Sequence, residues 1–269
     1  MTFRADLHCH THCSDGSDSP EAVLRKAKEI GLSGLSITDH DTIDAYSPEL
    51  FALAEELNIR LLPGIELSTE YEHNTIHILG YQIDLHSPEL QIFLVEMIQR
   101  RKARNEAILV KLRKKGFVVE LPQGHSIGRP HIAQAMVKKG YVNSVPEAFE
   151  RYLAEGASCY SPGFKYTPAE AISEIHKAGG KAVLAHPHFL KSGSLLKHLL
   201  SLPLDGLECY YGTLHKTEEK RWIDLAKKHG LIATGGSDYH GLIKPHVSLG
   251  CSWVDLETFN RLSTKGSVL

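Results

Sequence analysis

His8 and His10 stand two residues apart in the segment Asp6-Leu7-His8-Cys9-His10. In an extended chain that spacing sends both imidazoles to one side, where they can chelate a single cation, while Cys9 faces the other way. Asp15-Gly16 follows, a pair suited to a tight bend that returns a carboxylate toward the same place. Asp238 and His240 repeat the two-residue spacing in Gly235-Gly236-Ser237-Asp238-Tyr239-His240, and His77 interrupts the apolar run Thr75-Ile76-His77-Ile78-Leu79. His40 (Ile37-Thr38-Asp39-His40), Glu66 (Pro63-Gly64-Ile65-Glu66) and His186 (Leu184-Ala185-His186) each close an apolar stretch. A lone histidine in such a run is more often a core residue than a ligand. Many ionisable groups gathered at segment ends would be costly to bury without a cation. Mixed imidazole and carboxylate donors suit Mn, Fe or Zn alike.

The elements that must position these groups alternate. Short apolar runs at 3–8, 35–38, 60–66, 75–83, 181–186, 204–210 and 231–235 predict strands, and amphipathic stretches at 20–30, 47–57, 168–178 and 217–230 predict helices. This rhythm indicates an α/β fold with a mostly parallel sheet, closed or nearly closed into a barrel. His8, His40, Glu66, His186 and Asp238 lie at or just past the C-terminal ends of different predicted strands, and Glu208 does so on a sixth. In a β/α barrel those ends share the catalytic face. Between 87 and 165 the pattern is helical only (87–116, 129–140, 145–153), so the expected organisation is a barrel of 1–86 and 166–269 carrying a helical insertion, 87–165.

The 269 residues carry a formal charge of -2, which argues against binding to long duplex nucleic acid through many phosphate contacts. No apolar run is long enough for a membrane helix, and the polar start lacks a secretory signal, so a cytoplasmic protein is expected. The five scattered cysteines (Cys9, Cys13, Cys159, Cys209, Cys251) fit reduced thiols.

Across nearly its whole length the sequence resembles the PHP (polymerase and histidinol phosphatase) phosphoesterases, through the segments from Asp6 to Asp41, Glu66, His77, His186 and Asp238 to His240. It is most similar to the small bacterial branch of nucleoside 3′,5′-bisphosphate phosphatases and exonucleases that trim 5′ ends of short RNA. The resemblance implies a distorted (β/α)7 barrel with a helical insertion acting as a substrate lid, and a trinuclear centre. The matching ligands are His8, His10, Asp15, His40, Glu66, His77, His186, Asp238 and His240, with Asp15, His40, Asp238 and His240 as catalytic candidates. One departure is Asp44-Ala45, where relatives commonly place a glycine. Two or three divalent ions (Mn, Fe or Zn) are the expected cofactors. Three ions would bring about +6 against three carboxylates, a net charge that favours a phosphate dianion, and a hydroxide generated at the metals would attack phosphorus.

Substrate groups are expected outside this cluster. Arg129, in Gly128-Arg129-Pro130-His131, resembles an arginine that grips a second phosphate in the similar branch, and Lys165 and His215 are further phosphate candidates. Tyr210 or Tyr211 could stack on a base. Asp6 and Asp39 are expected to orient imidazoles, His131 and His188 to support the site or the structure, and Arg100-Arg101-Lys102-Ala103-Arg104 to form a solvated helix face. The expected activity is hydrolysis of small nucleotide or short-oligonucleotide phosphate esters. The competing readings are a histidinol-phosphate-type phosphomonoesterase, a noncatalytic metal- and nucleotide-binding protein, and a C–N bond hydrolase.

Overall fold

The computed structural model describes residues 2–121, 127–162 and 166–264. It divides into two compact units, Met1–Phe93 with Tyr166–Leu269, and Leu94–Lys165.

The first unit is mixed α/β. Its elements are β1 (Ala5–Cys9), α1 (Pro20–Glu29), β2 (Gly34–Ile37), α2 (Pro48–Glu56), β3 (Arg60–Leu61), β4 (Gly64–Tyr71) and β5 (Asn74–Tyr81). After the chain leaves through α3 (Pro88–Lys114), which continues into the second unit, it returns with α6 (Pro168–Lys177), β6 (Lys181–Leu184), α7 (Gly193–Leu199), β7 (Gly206–Tyr211), α8 (Lys216–Lys228), β8 (Ile232–Gly236) and α9 (Leu256–Ser263). The helix starts follow the local chemistry: Ser19, Ser47 and Thr167 cap α1, α2 and α6 with a proline at the first helical position of each.

Among the described residues eight strands form two sheets, β1-β2-β3 and β4-β5-β6-β7-β8. This departs from the expected mostly parallel arrangement in two places. The run 60–66 is broken at Leu62-Pro63: Pro63 has no N–H to donate, and the hydroxyl of the partly buried Tyr46 takes the ladder's place. It donates to Ile37 O (2.6 Å) and accepts from Gly64 N (2.8 Å). Second, β4 and β5 form an antiparallel hairpin, and β5 pairs antiparallel with β6. The hairpin turns on Glu72 (φ 46°) and His73 (φ 64°), two left-handed residues without the usual Asn-Gly signature, which is why the turn is hard to read in the sequence. Isolated parallel bridges lie at both gaps between the sheets, His40 with Glu66 and Cys9 with Tyr239.

The strands bury Leu7, Leu79, Tyr81, Val183 and Ala185 in one cluster, and α1 and α2 pack Val23, Leu24, Leu50 and Leu53 against Leu35 and Ile37 in another. The second unit comprises the remainder of α3, α4 (Arg129–Lys138) and α5 (Val145–Ala148) with a following π turn, around Ile108, Leu112, Ile132, Met136 and Leu153. No helix among the described residues is long and apolar enough to cross a membrane.

Candidate metal centre

Strand β1 delivers His8 and His10, both buried, to the end of the sheet. Their backbone is tied to the segment after β8: His10 N donates to Tyr239 O (2.8 Å) and Asp238 N to His8 O (2.8 Å). That close approach explains the glycine pair. A Cβ on Gly236 would lie 2.3 Å from His8 N, and one on Gly235 2.4 Å from Tyr210 Cβ. The pair therefore serves strand packing, and the left-handed residue that follows is Asp238 itself (φ 56°). Asp6 and Asp39 act differently from expectation. Asp6 accepts from the backbone of Ser237 (2.9 Å) and Gly250 (2.8 Å), and Asp39 from Thr11 N (2.8 Å), Thr11 Oγ1 (2.6 Å) and Ser14 Oγ (2.5 Å), so they pin the loops that carry the imidazoles instead of the rings.

Glu66 is the centre of the cluster. Its Oε2 lies 3.3 Å from His8 Nε2, 3.1 Å from His10 Nε2 and 3.3 Å from His40 Nδ1. Its Oε1 lies 2.9 Å from His77 Nδ1 and 3.1 Å from His186 Nε2. Asp238 Oδ1 faces His8, His10 and His240 at 3.4, 3.3 and 3.5 Å. Asp15 faces His240 at 3.3 Å, His10 at 3.6 Å and His40 at 3.8 Å. The fold thus brings all nine residues together. Three overlapping sets have ligand atoms close enough to share an ion: His10 with Asp15, His40 and His240; His8 with His10 and Glu66; His40 with Glu66 and His77.

Burial alone would raise the pKa of Glu66, yet the imidazoles of His40, His77 and His8 hold it well below the usual carboxylate range. The same contest, with His8, His10, Lys244 and His240 opposing burial, holds Asp238 low. Burial lowers the His10 imidazole, but Asp238, Glu66 and Asp15 outweigh it and raise it to about 9. A site that draws positive charge this strongly, while neither His10 ring nitrogen finds a hydrogen bond, has the donor set a divalent cation takes up with release of protons.

Three supporting residues hold the ligands in place, a role the sequence reading gave to none of them. Glu208 is buried, with Oε1 2.8 Å from His8 Nδ1 and Oε2 accepting from His186 N (2.7 Å). Asp238 Oδ2 accepts from the Tyr211 hydroxyl (2.5 Å) and from Lys244 Nζ (2.6 Å). An acid isolated in the apolar strand Leu207-Glu208-Cys209-Tyr210-Tyr211 was a readable signal; nothing in the sequence marked Lys244. Tyr211 is only 5% exposed and offers no free face to a base, and Tyr210 is partly buried against the core.

His215 caps α8, its ring bonded to Thr217 Oγ1 at 3.0 Å. His131 accepts from Gly128 N (3.1 Å) at the start of α4. Arg129, in the second unit, lies over the rings of Tyr160 (5.7 Å) and Phe149 (5.9 Å), and Lys165 lies outside the described residues. His188 lies beside His186 and Tyr211, pushed down to about 4 by burial and by His186.

A sheet end carrying imidazoles and carboxylates around one shared glutamate defines a metal-dependent hydrolase. The PHP domain model matches residues 6–178, and the chain belongs to this family. It is 36% identical over 263 residues to the 5′-3′ exoribonuclease Rnm of Escherichia coli K12, covering 93% of this chain and 87% of that one. It is 32% identical over 254 residues to a phosphoribosyl 1,2-cyclic phosphate 1,2-diphosphodiesterase of Eggerthella lenta (90% and 97% covered) and 30% identical over 249 residues to a 3′,5′-nucleoside bisphosphate phosphatase of Chromobacterium violaceum (87% and 86%). A solved structure from Bifidobacterium adolescentis, described as a metal-dependent phosphoesterase, superposes with a TM-score of 0.87 at 30% identity, covering 98% of this chain and 97% of that one. The chain is a metal-dependent phosphoesterase of the PHP family.

Proposed function

We propose that the protein hydrolyses phosphate esters of small nucleotides, removing the 3′-phosphate of nucleoside 3′,5′-bisphosphates, releasing 5′ nucleotides from short RNA, or both. The carrying observation is Glu66, one buried carboxylate in contact with five imidazoles and flanked by Asp15 and Asp238. In this reading the nine clustered residues hold two or three divalent ions, with Asp15, His40, Asp238 and His240 nearest the reacting phosphate. The two strand sheets, bridged at His40–Glu66 and Cys9–Tyr239, act as the distorted (β/α)7 barrel of the family, and residues 87–165 form its lid. Bound cations supply Lewis acidity toward a phosphoryl oxygen and lower the pKa of water to roughly 7. The chain's own residues keep the donors in place: Glu208 orients His8, and Tyr211 and Lys244 hold Asp238 Oδ2 so that Oδ1 faces the centre.

Arg129 is the proposed anchor for a second phosphate. Burial lowers the Arg104 guanidinium to about 10 and the like charge of Arg129 pushes the same way, so the helical unit places two guanidiniums, each able to grip a phosphate, near one another. Lys165 and His215 remain secondary candidates.

The test is phosphate release from adenosine 3′,5′-bisphosphate and nucleotide release from a 5′-phosphorylated RNA trimer, with Mn supplied and adenosine monophosphates as single-phosphate controls. Turnover of either nucleotide substrate supports the proposal. A metal-loaded protein that turns over neither, or that prefers an aminoalcohol phosphate, overturns it.

A further inference from the structure

We propose that Phe189, seated on His188 and Tyr211 beside His186, is a stacking shelf for the nucleobase of the substrate whose phosphate ester reaches the metal centre. This assignment rests on the nucleotide reading above and goes beyond it by locating the base.

The starting observation is an exposed aromatic ring in a rigid place. Phe189 is 58% exposed, although its segment is the one-turn helix Pro187–Phe189 immediately after His186. Pro187 fixes the first torsion, Phe189 N donates to His186 O (3.1 Å) and Leu190 N to Pro187 O (3.1 Å). The ring cannot reach the core without undoing this turn. It is also supported from behind: its centroid lies 4.2 Å from His188, 5.3 Å from His186 and 5.7 Å from Tyr211. The buried nitrogens of His188 make no hydrogen bond, so that ring serves as packing beneath Phe189.

Position decides the occupant. The shelf is in ring contact with His186, which is 3.1 Å from Glu66, so a molecule lying on it shares the site with the ester being cleaved. A nucleotide divides its chemistry in the same way: its phosphate goes to the charged cluster and its neutral planar base to the adjacent aromatic face. Every base offers a π-face, so such a shelf gives affinity without sequence preference. The exposed ring of Phe189, not among the sequence-based candidates Tyr210 and Tyr211, supplies the free face that the buried Tyr211 lacks.

The test compares Phe189→Ala and Phe189→Tyr with wild type on adenosine 3′,5′-bisphosphate and on the abasic tetrahydrofuran 3,5-bisphosphate, which keeps both phosphates and lacks the base. Loss of a base stack predicts a rise in KM for the adenosine substrate of roughly five- to a hundred-fold in Phe189→Ala, with kcat much less affected. KM for the abasic substrate stays within about twofold, and Phe189→Tyr, which keeps a π-face, restores the adenosine value. Equal loss on both substrates, or no change on either, overturns the shelf while leaving the phosphoesterase reading intact. A wild-type protein that turns over neither compound nor short RNA overturns both.

Discussion

Replacing Glu208 by glutamine tests whether the centre is built from its supporting bonds as well as its ligands. Glu208 is buried and uses both oxygens, one 2.8 Å from His8 Nδ1 and the other accepting from His186 N at 2.7 Å. Glutamine keeps the shape but has only one oxygen. If that oxygen serves His8, the amide NH2 confronts the His186 N–H; if it serves His186, the NH2 confronts the nitrogen of His8 and favours the wrong tautomer. Leaving one buried donor unsatisfied costs about 1–3 kcal/mol. If the cost falls on His8 as a ligand, cation affinity drops by about 10- to 100-fold, the size known for supporting carboxylates of metal-bound histidines. The assay is competition of the purified variant against a chelator of known affinity, with circular dichroism confirming the fold and His8→Ala marking full loss of that ligand. A folded Glu208→Gln protein that binds Mn within twofold of wild type would refute the reasoning.

Tyr211→Phe removes one hydrogen bond to the charged Asp238 with little change in packing, and turnover should fall by about 10- to 100-fold; unchanged kcat means the hydroxyl does not position Asp238. Gly236→Ala drives a Cβ to 2.3 Å from His8 N, so denaturant melts should show at least about 1–3 kcal/mol of lost stability. Asp18 gives a pH effect away from the nine clustered residues: burial would raise its carboxyl, but bonds from Tyr239, Lys26 and Ser17 hold it at about 2. A folded pKa below the unfolded value near 3.9 stabilises above about pH 4 and is lost as pH falls toward 2. Asp18→Asn should flatten that acid limb by about 1 kcal/mol after allowance for solvent screening of the partly exposed Lys26 pair, read from melts at pH 2.5 and 6. Arg129→Ala should raise KM for a bisphosphate by about tenfold or more with little effect on a monophosphate, since bidentate guanidinium contacts discriminate by charge and geometry; equal loss on both removes the second-phosphate role.

What could be read in the sequence was what obeys a short period. His8 and His10 share a face because a strand alternates, and the helical pattern of 87–116 corresponds to α3 (Pro88–Lys114). What resisted reading depends on breaks in that period or on partners far along the chain. Strand β7 shifts register between Glu208 and Tyr210, so Glu208 and Tyr211, three apart and expected on opposite faces, both reach the centre. Pro63 marks a break in the run 60–66, but nothing local announces that the Tyr46 hydroxyl bonds the backbone between β3 and β4. Lys244 meets Asp238 only because the loop after β8 turns back through left-handed Gly241 (φ 64°).

Two residues of the centre carry backbone strain, His186 (φ 26°) and Asp238 (φ 56°). Such conformations cost about 1–3 kcal/mol each in non-glycine residues and persist only where neighbours over-determine them. Here the constraints are visible: His186 N is held by Glu208, and Asp238 N by the carbonyl of His8. Glu208 also holds His8, so His8, His186 and Asp238, contributed by three separate segments, form one linked frame rather than independent side chains. A perturbation of any one should therefore propagate to the other two, and mutations at Glu208 and Asp238 should be non-additive in cation affinity, as coupled residues in one network are.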